Sequence, residues 1–136
     1  MRRQAERGFS FGAPSESEIR LAEILCERIP SVEQVRFTSS GTESVMYALR
    51  AAKAFTGRRK IAKCEGGFHG AHDSVHVSFS TGDPTATLEG RFETSPESQG
   101  MSGYEDTVVF PFNDVERAEA ILERHGRDLA AVILEP

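Results

Sequence analysis

Four small residues in a row, Ser39-Ser40-Gly41-Thr42, stand just ahead of a stretch that reads as an amphipathic helix. A helix that begins at about Thr42 leaves its first backbone N–H groups unpaired and carries partial positive charge at that end, so an anion fits there. Gly41 lets the main chain approach a ligand closely, and the hydroxyls of Ser39, Ser40 and Thr42 can hydrogen-bond to phosphate oxygens. The same residues also read as a plain helix cap, with Ser40 or Thr42 serving only the first turn. A second chemical feature is the loop Gly66-Gly67-Phe68-His69-Gly70. Phe68 between glycines can lie against a planar ring with His69 as a polar contact, or Phe68 can be a core residue and His69 a surface one.

Two further sets of side chains could do chemistry. His69, His72 and His76 would share one face if their segment were helical, with Asp73 nearby, and three imidazoles can bind zinc. Their spacing follows neither HExxH nor HxxEH, so solvated or capping histidines are the preferred reading and no metal is expected. Lys53, Lys60 and Lys63 are candidate amines, and each is expected to be solvated. The chain has neither a Gly-x4-Gly-Lys-Ser/Thr phosphate loop nor a Gly-x-Gly-x-x-Gly turn, which argues against an NTPase or a dinucleotide enzyme.

The elements that position these residues can be read from periodicity and punctuation. Ser15 and Glu18 make a capping box for a helix with Ile19, Ala22, Leu25 or Cys26, and Ile29 on one face, stopped by Pro30. Residues 34–38 read as a short strand, and Thr42 onward as a helix with Val45, Leu49, Ala52 and Phe55 near one face and Gly57 as its stop. Strands follow at 60–65 and 107–110, separated by a Ser/Thr/Gly/Pro-rich surface excursion at 79–103. Asn113 with Glu116 is expected to box the start of a last helix with Val115, Ala118, Ile121 and Leu122 on its apolar face. Gly126 closes that helix, and an apolar strand at 129–134 follows. Strands alternating with helices predict an α/β fold with a mainly parallel sheet flanked by helices.

Composition bounds the possibilities. The 136 residues suit one domain or part of one, and 38% hydrophobic with 27% charged residues fits a soluble globular chain. A net charge of −5 provides no overall positive field for nucleic acid or anionic lipid, and no apolar run approaches membrane-spanning length. A cytoplasmic protein is expected. Cys26 and Cys64 are far apart and form no CxxC pair, so both read as apolar fillers. The sequence stops at Glu135-Pro136, at the carboxyl end of its most apolar strand, and so reads as cut.

Three ordered motifs carry a family resemblance: Val35 to Glu43 around the Ser-Ser-Gly-Thr turn, Gly67-Phe68-His69-Gly70, and Val132-Ile133-Leu134-Glu135-Pro136. Together they resemble the class III pyridoxal-phosphate-dependent aminotransferases. Ser10-Phe11-Gly12-Ala13-Pro14 and the run from Ala48 to Gly57 are most similar to the glutamate-1-semialdehyde 2,1-aminomutase branch. The chain differs from that branch in having Phe68 in place of the usual Tyr, Cys64 in place of an aromatic, and a divergent segment at 81–103.

The resemblance implies that residues 1–136 are part of the cofactor-binding large domain of a fold-type-I pyridoxal-phosphate transferase. Ser40, Gly41 and Thr42 would hold the cofactor phosphate, and Phe68 would stack on its ring. His69 would lie beside the ring, and Glu135 would be a carboxylate near it. The implied substrate is a small amino or keto compound, glutamate 1-semialdehyde in the aminomutase branch, with a homodimer as the working form. The family's Schiff-base lysine, the aspartate at the pyridine nitrogen and the small C-terminal domain would all lie beyond residue 136, leaving no catalytic residue within it. An α/β piece of this kind is expected to expose a sheet edge and to aggregate when isolated. The alternatives are another class III aminotransferase, acting on an amino acid or amine, and a non-catalytic module binding a phosphorylated ligand.

Overall fold

The computed structural model describes residues 2–8, 10–79 and 102–135. They fall into two compact units, residues 1–37 and 38–136. The first unit holds a short helix α1 (Arg2–Ala5) and a longer α2 (Glu16–Arg28). Ser15 Oγ accepts from the Glu18 N–H at 3.3 Å while the Glu18 carboxylate accepts from the Ser15 N–H at 3.4 Å, the expected capping box. The apolar stripe of α2 is more open than its periodicity predicts: Ile19 and Ile29 are 52% and 42% exposed. Residues 34–38, expected as a strand, are not one. A strand exists only where a ladder partner does, and among the described residues this segment has none.

In the second unit, α3 (Gly41–Thr56) is capped by Ser40, whose side chain accepts from the Glu43 N–H. Gly57 ends it at φ 68, the left-handed conformation that glycine adopts without a steric penalty. Three parallel strands follow: β1 (Lys60–Cys64), β2 (Thr107–Phe110) and β3 (Leu129–Ile133), in the order β2-β1-β3. The expected excursion at 79–103 lies largely outside the described residues.

Alternation along β1 divides the core into two. Ile61 packs with Leu49 of α3 and with Val75, whereas Ala62 packs with Val108, Phe110, Leu129 and Ile121 of α4 (Val115–His125). The sheet is therefore covered by α3 on one face and α4 on the other, as its apolar strands predict. Burying a side chain such as Leu49 or Ile121 contributes on the order of 1.5–3 kcal/mol. Because α3 leads through a short turn into β1, its N-terminus lies at the carboxyl end of the strands.

The start of α4 differs from expectation. Asp114 is the cap, accepting from the Arg117 N–H at 3.1 Å, and Asn113 precedes it at φ 54. Asparagine tolerates the left-handed region, and the turn it makes there shifts the cap by one residue. Val115, expected on the apolar face, is 68% exposed, while Ile121 is buried and Ala118 and Leu122 pack beside it. Gly126 does close α4 but in a right-handed conformation. Replacing Asp114 by Ala in the full-length protein is expected to loosen the first turn of α4 by about 1 kcal/mol. Amide exchange at residues 115–118 measures this, and unchanged exchange would place the cap elsewhere.

Candidate functional site

The phosphate-cradle candidates meet at the N-terminus of α3. Ser40 Oγ accepts from the Glu43 N–H at 3.2 Å, so its own proton remains to donate outward. Glu43 reaches back to accept from the Ser39 N–H at 2.7 Å. This contact leaves the N–H groups of Gly41 and Thr42, in the first helical turn, pointing out of the helix end. A Cβ built on Gly41 would meet nothing within 4 Å, so the space beside it is open.

The loop after β1 is locked onto this helix end. Thr42 Oγ1 accepts from the Ala71 N–H at 3.1 Å, again leaving a hydroxyl proton to donate. Gly70 has φ +97, and a Cβ on it would lie 2.8 Å from Thr42 Cα. Only glycine fits there, for space and for backbone conformation alike.

Within that loop, the alternative with a core Phe68 and a surface His69 is reversed. Phe68 is 53% exposed and His69 only 7%. One side of Phe68 leans edge-on against His76 at 6.1 Å and Phe79 at 6.0 Å, and those two rings stack at 4.4 Å. His69 Nε2 is buried with no hydrogen-bond partner among the described residues, close to Gly67, where a Cβ would lie 2.9 Å from it. Burial pushes the His69 imidazole below its ordinary pKa, the Lys63 charge adds to this, and Glu135 pulls the other way. Glu135 is exposed just beyond β3, so its charge reaches the loop from the neighbouring strand end.

Lys63 corrects the expectation of a solvated amine: it is 0% exposed, on the α3 face of β1. Its Nζ donates to the carbonyls of Val75 at 3.1 Å and Val77 at 2.5 Å. Burial lowers its pKa to about 8, against opposite pulls from Glu65 and Cys64. Lys60 pairs with Asp128 at 3.2 Å at the far end of the strand. The histidines do not line a helical face, because residues 70–79 form turns and bends. Among the described residues no group of three His, Cys, Asp or Glu side chains is arranged to hold a metal.

A cleft of about 710 Å³ opens on the α4 face, lined by Cys64, Phe110, Phe112, Ala118 and Leu134 and bordered by Glu135. It shares Gly66, Gly67 and Glu135 with the candidates above, but neither Phe68 nor the start of α3 lines it. Its apolar lining offers little to an anion.

Sequence reasoning named Glu43, Gly70, Lys63 and His76 but missed what they do here: the Glu43 contact with Ser39, the close approach of Gly70 to Thr42, the burial of Lys63 and the stacking of His76 on Phe79. Two of them left a signal: Ser40-Gly41-Thr42-Glu43 has the spacing of a capping box, and a lysine within a strand buried on both faces must find an interior partner.

The model of the class-III aminotransferases matches residues 1–136. The chain belongs to this family. It is 46% identical over 138 aligned residues to the glutamate-1-semialdehyde 2,1-aminomutase of Polynucleobacter asymbioticus, covering 100% of this chain and 31% of that protein. The aminomutase of Methanothrix thermoacetophila is also 46% identical, over 98% of this chain and 29% of its own. Among solved structures, an omega-transaminase from Sphaerobacter thermophilus superimposes with a TM-score of 0.83 at 43% identity, over 98% of this chain and 31% of that one. A glutamate-1-semialdehyde aminomutase from Pseudomonas aeruginosa gives 0.73 at 27% identity, over 99% and 28%. The chain thus spans about 30% of the length of these relatives, and its α/β architecture is part of the fold-type-I transferase fold. No helix among the described residues is long and apolar enough to cross a membrane.

Two outcomes test this geometry in the full-length protein. Gly70→Ala is expected to cost at least ~1–3 kcal/mol of stability from backbone strain alone, and a melting temperature equal to wild type would disprove the close approach. The folded pKa of Lys63, about 8, lies below the ordinary 10.5 that applies to the unfolded chain. Between these values the unfolded chain binds more protons, so stability rises with pH; below about 8 the cost of the buried charge is fully present. The melting temperature of wild type relative to Lys63→Met is therefore expected to climb from pH 8 to pH 10. A flat difference would show that Lys63 is not buried as a charge.

Proposed function

We propose that residues 1–136 are the cofactor-phosphate and ring-stacking part of the large domain of a pyridoxal-phosphate-dependent aminomutase. The full-length protein would convert glutamate 1-semialdehyde to 5-aminolevulinate. The observation that carries this reading is the lock between the loop after β1, which bears the half-exposed Phe68, and the open N-terminus of α3. The aminomutase relatives at 46% identity support the substrate, and a solved transaminase with PLP bound, 41% identical, supports the cofactor.

The residues present fit such a ligand. The open space at Gly41 admits a phosphate to the N–H groups of Gly41 and Thr42, and the hydroxyls of Ser40 and Thr42 each keep a proton to donate. Phe68 is half-exposed and packs in edge-type contacts with His76 and Phe79, so it remains accessible to a flat ring. Burial and the Lys63 charge favour a neutral His69 beside that ring, and Glu135 contributes negative charge on the opposite side of the imidazole balance. When bound, pyridoxal phosphate supplies an electron sink for the carbanion formed next to the substrate nitrogen. The protein works, on this reading, as a cytoplasmic homodimer on small amino and keto substrates.

One observation favours a second reading, an aminotransferase acting on an amino acid or amine: the omega-transaminase structure is 43% identical, the aminomutase structure only 27%. Incubating the full-length protein with glutamate 1-semialdehyde alone separates the two. An aminomutase forms 5-aminolevulinate without a second substrate, whereas a transaminase forms product only with an amino donor and a keto acceptor together. Ser40→Ala and Thr42→Ala are each expected to weaken pyridoxal 5'-phosphate binding by about tenfold, the loss expected for a charge-assisted hydrogen bond. A full-length protein that binds no pyridoxal phosphate would leave the non-catalytic phosphate-binding module.

A further inference from the structure

A lysine ammonium without a carboxylate partner at hydrogen-bond distance is costly to bury, and Lys63 is completely buried at the middle of the sheet. Its two hydrogen bonds go to backbone carbonyls that belong to residues on either side of one histidine: Val75 O at 3.1 Å and Val77 O at 2.5 Å. The backbone bracketing His76 is thereby drawn onto β1. The His76 ring stacks on Phe79 with an interplanar angle of 15° and a centroid distance of 4.4 Å. Both rings then meet Phe68 edge-on, at 74° and 72°. Val75 and Val77 are themselves fully buried, so the segment is fixed by packing as well as by the ammonium.

We propose that Lys63 is a positioning residue for the ring-stacking site: by holding the carbonyls of Val75 and Val77 it seats the His76–Phe79 pair, and that pair sets the orientation of Phe68. The inference rests on the reading of Phe68 as the platform for the cofactor ring. Lys63 itself touches no ligand on this account. Two donors on one Nζ suit it to the task, since a shorter amide reaches less far and an apolar side chain leaves both carbonyls buried without a partner.

The test uses the full-length protein and pyridoxal 5'-phosphate as the probe, with the apparent dissociation constant read by absorbance titration and amide exchange of residues 75–79 read in the unloaded protein. Lys63→Met is expected to speed exchange there and to raise the dissociation constant about tenfold. In a Phe68→Ala background the same substitution is expected to leave the dissociation constant unchanged, because its effect passes through Phe68. Lys63→Gln, which keeps a donor, should recover part of both effects and serves if Lys63→Met does not fold. Equal weakening with and without Phe68 would overturn the proposal, as would wild-type exchange and affinity in either lysine variant. Should Phe68→Ala alone bind the probe as wild type does, the stacking reading fails instead, and exchange at residues 75–79 still decides whether Lys63 pins them.

Discussion

The close approach of Gly70 to Thr42 is the constraint on which the rest of the site depends. With 2.8 Å between Thr42 Cα and the place a Cβ would occupy, the loop leaving β1 can touch the helix end only because residue 70 has no side chain. The Ala71 N–H then donates to Thr42 Oγ1, fixing the hydroxyl that faces the open end of α3. Two features far apart in sequence, a helix start and a strand exit, become one surface. The parallel sheet makes this possible, since a helix that runs back along β1 must begin where the strands end.

Much of this architecture was legible in the sequence because it rests on local signals. Ser15 and Glu18, Ser40 and Gly57 marked helix ends through their own backbone chemistry. The apolar runs of β1, β2 and β3 marked a sheet covered on both faces. What escaped was decided by tertiary neighbours. Residues 34–38 have the composition of a strand but no ladder among the described residues. His69 looked like a surface group, yet the folded loop after β1 leaves only 7% of it exposed. Lys63 looked solvated because the carbonyls that receive it lie 12 and 14 residues onward.

The helix start expected at Ser40 to Thr42 is where the fold has it, but its hydrogen bonding was only partly legible. Glu43 had the capping spacing, yet its carboxylate bypasses the Ser40 N–H and takes that of Ser39. An acidic side chain at a helix start is favourable through the helix dipole. Here it also satisfies the Ser39 N–H while leaving those of Gly41 and Thr42, so an anion at this helix end would meet only the first turn. The sequence pattern fixed the presence of a cap; only the fold selected which N–H groups stay available.

Near-equal likeness to an aminomutase at 46% identity and to an omega-transaminase at 43% has a physical reading. On the proposed reading, enzymes that share a cofactor but not a substrate share the part that grips the cofactor, and the helix end, the half-exposed Phe68 and the buried His69 would belong to that part. Lys63 fits the same division. A buried ammonium satisfied by main-chain carbonyls holds its partners whatever side chains they carry, so it can stabilise a common platform while the residues that select the substrate vary. Its charge also acts on His69, where it adds to burial in favouring the neutral imidazole, against the opposite pull of Glu135. One interior lysine thus bears both on the backbone around His76, through hydrogen bonds, and on the protonation of His69, through its charge.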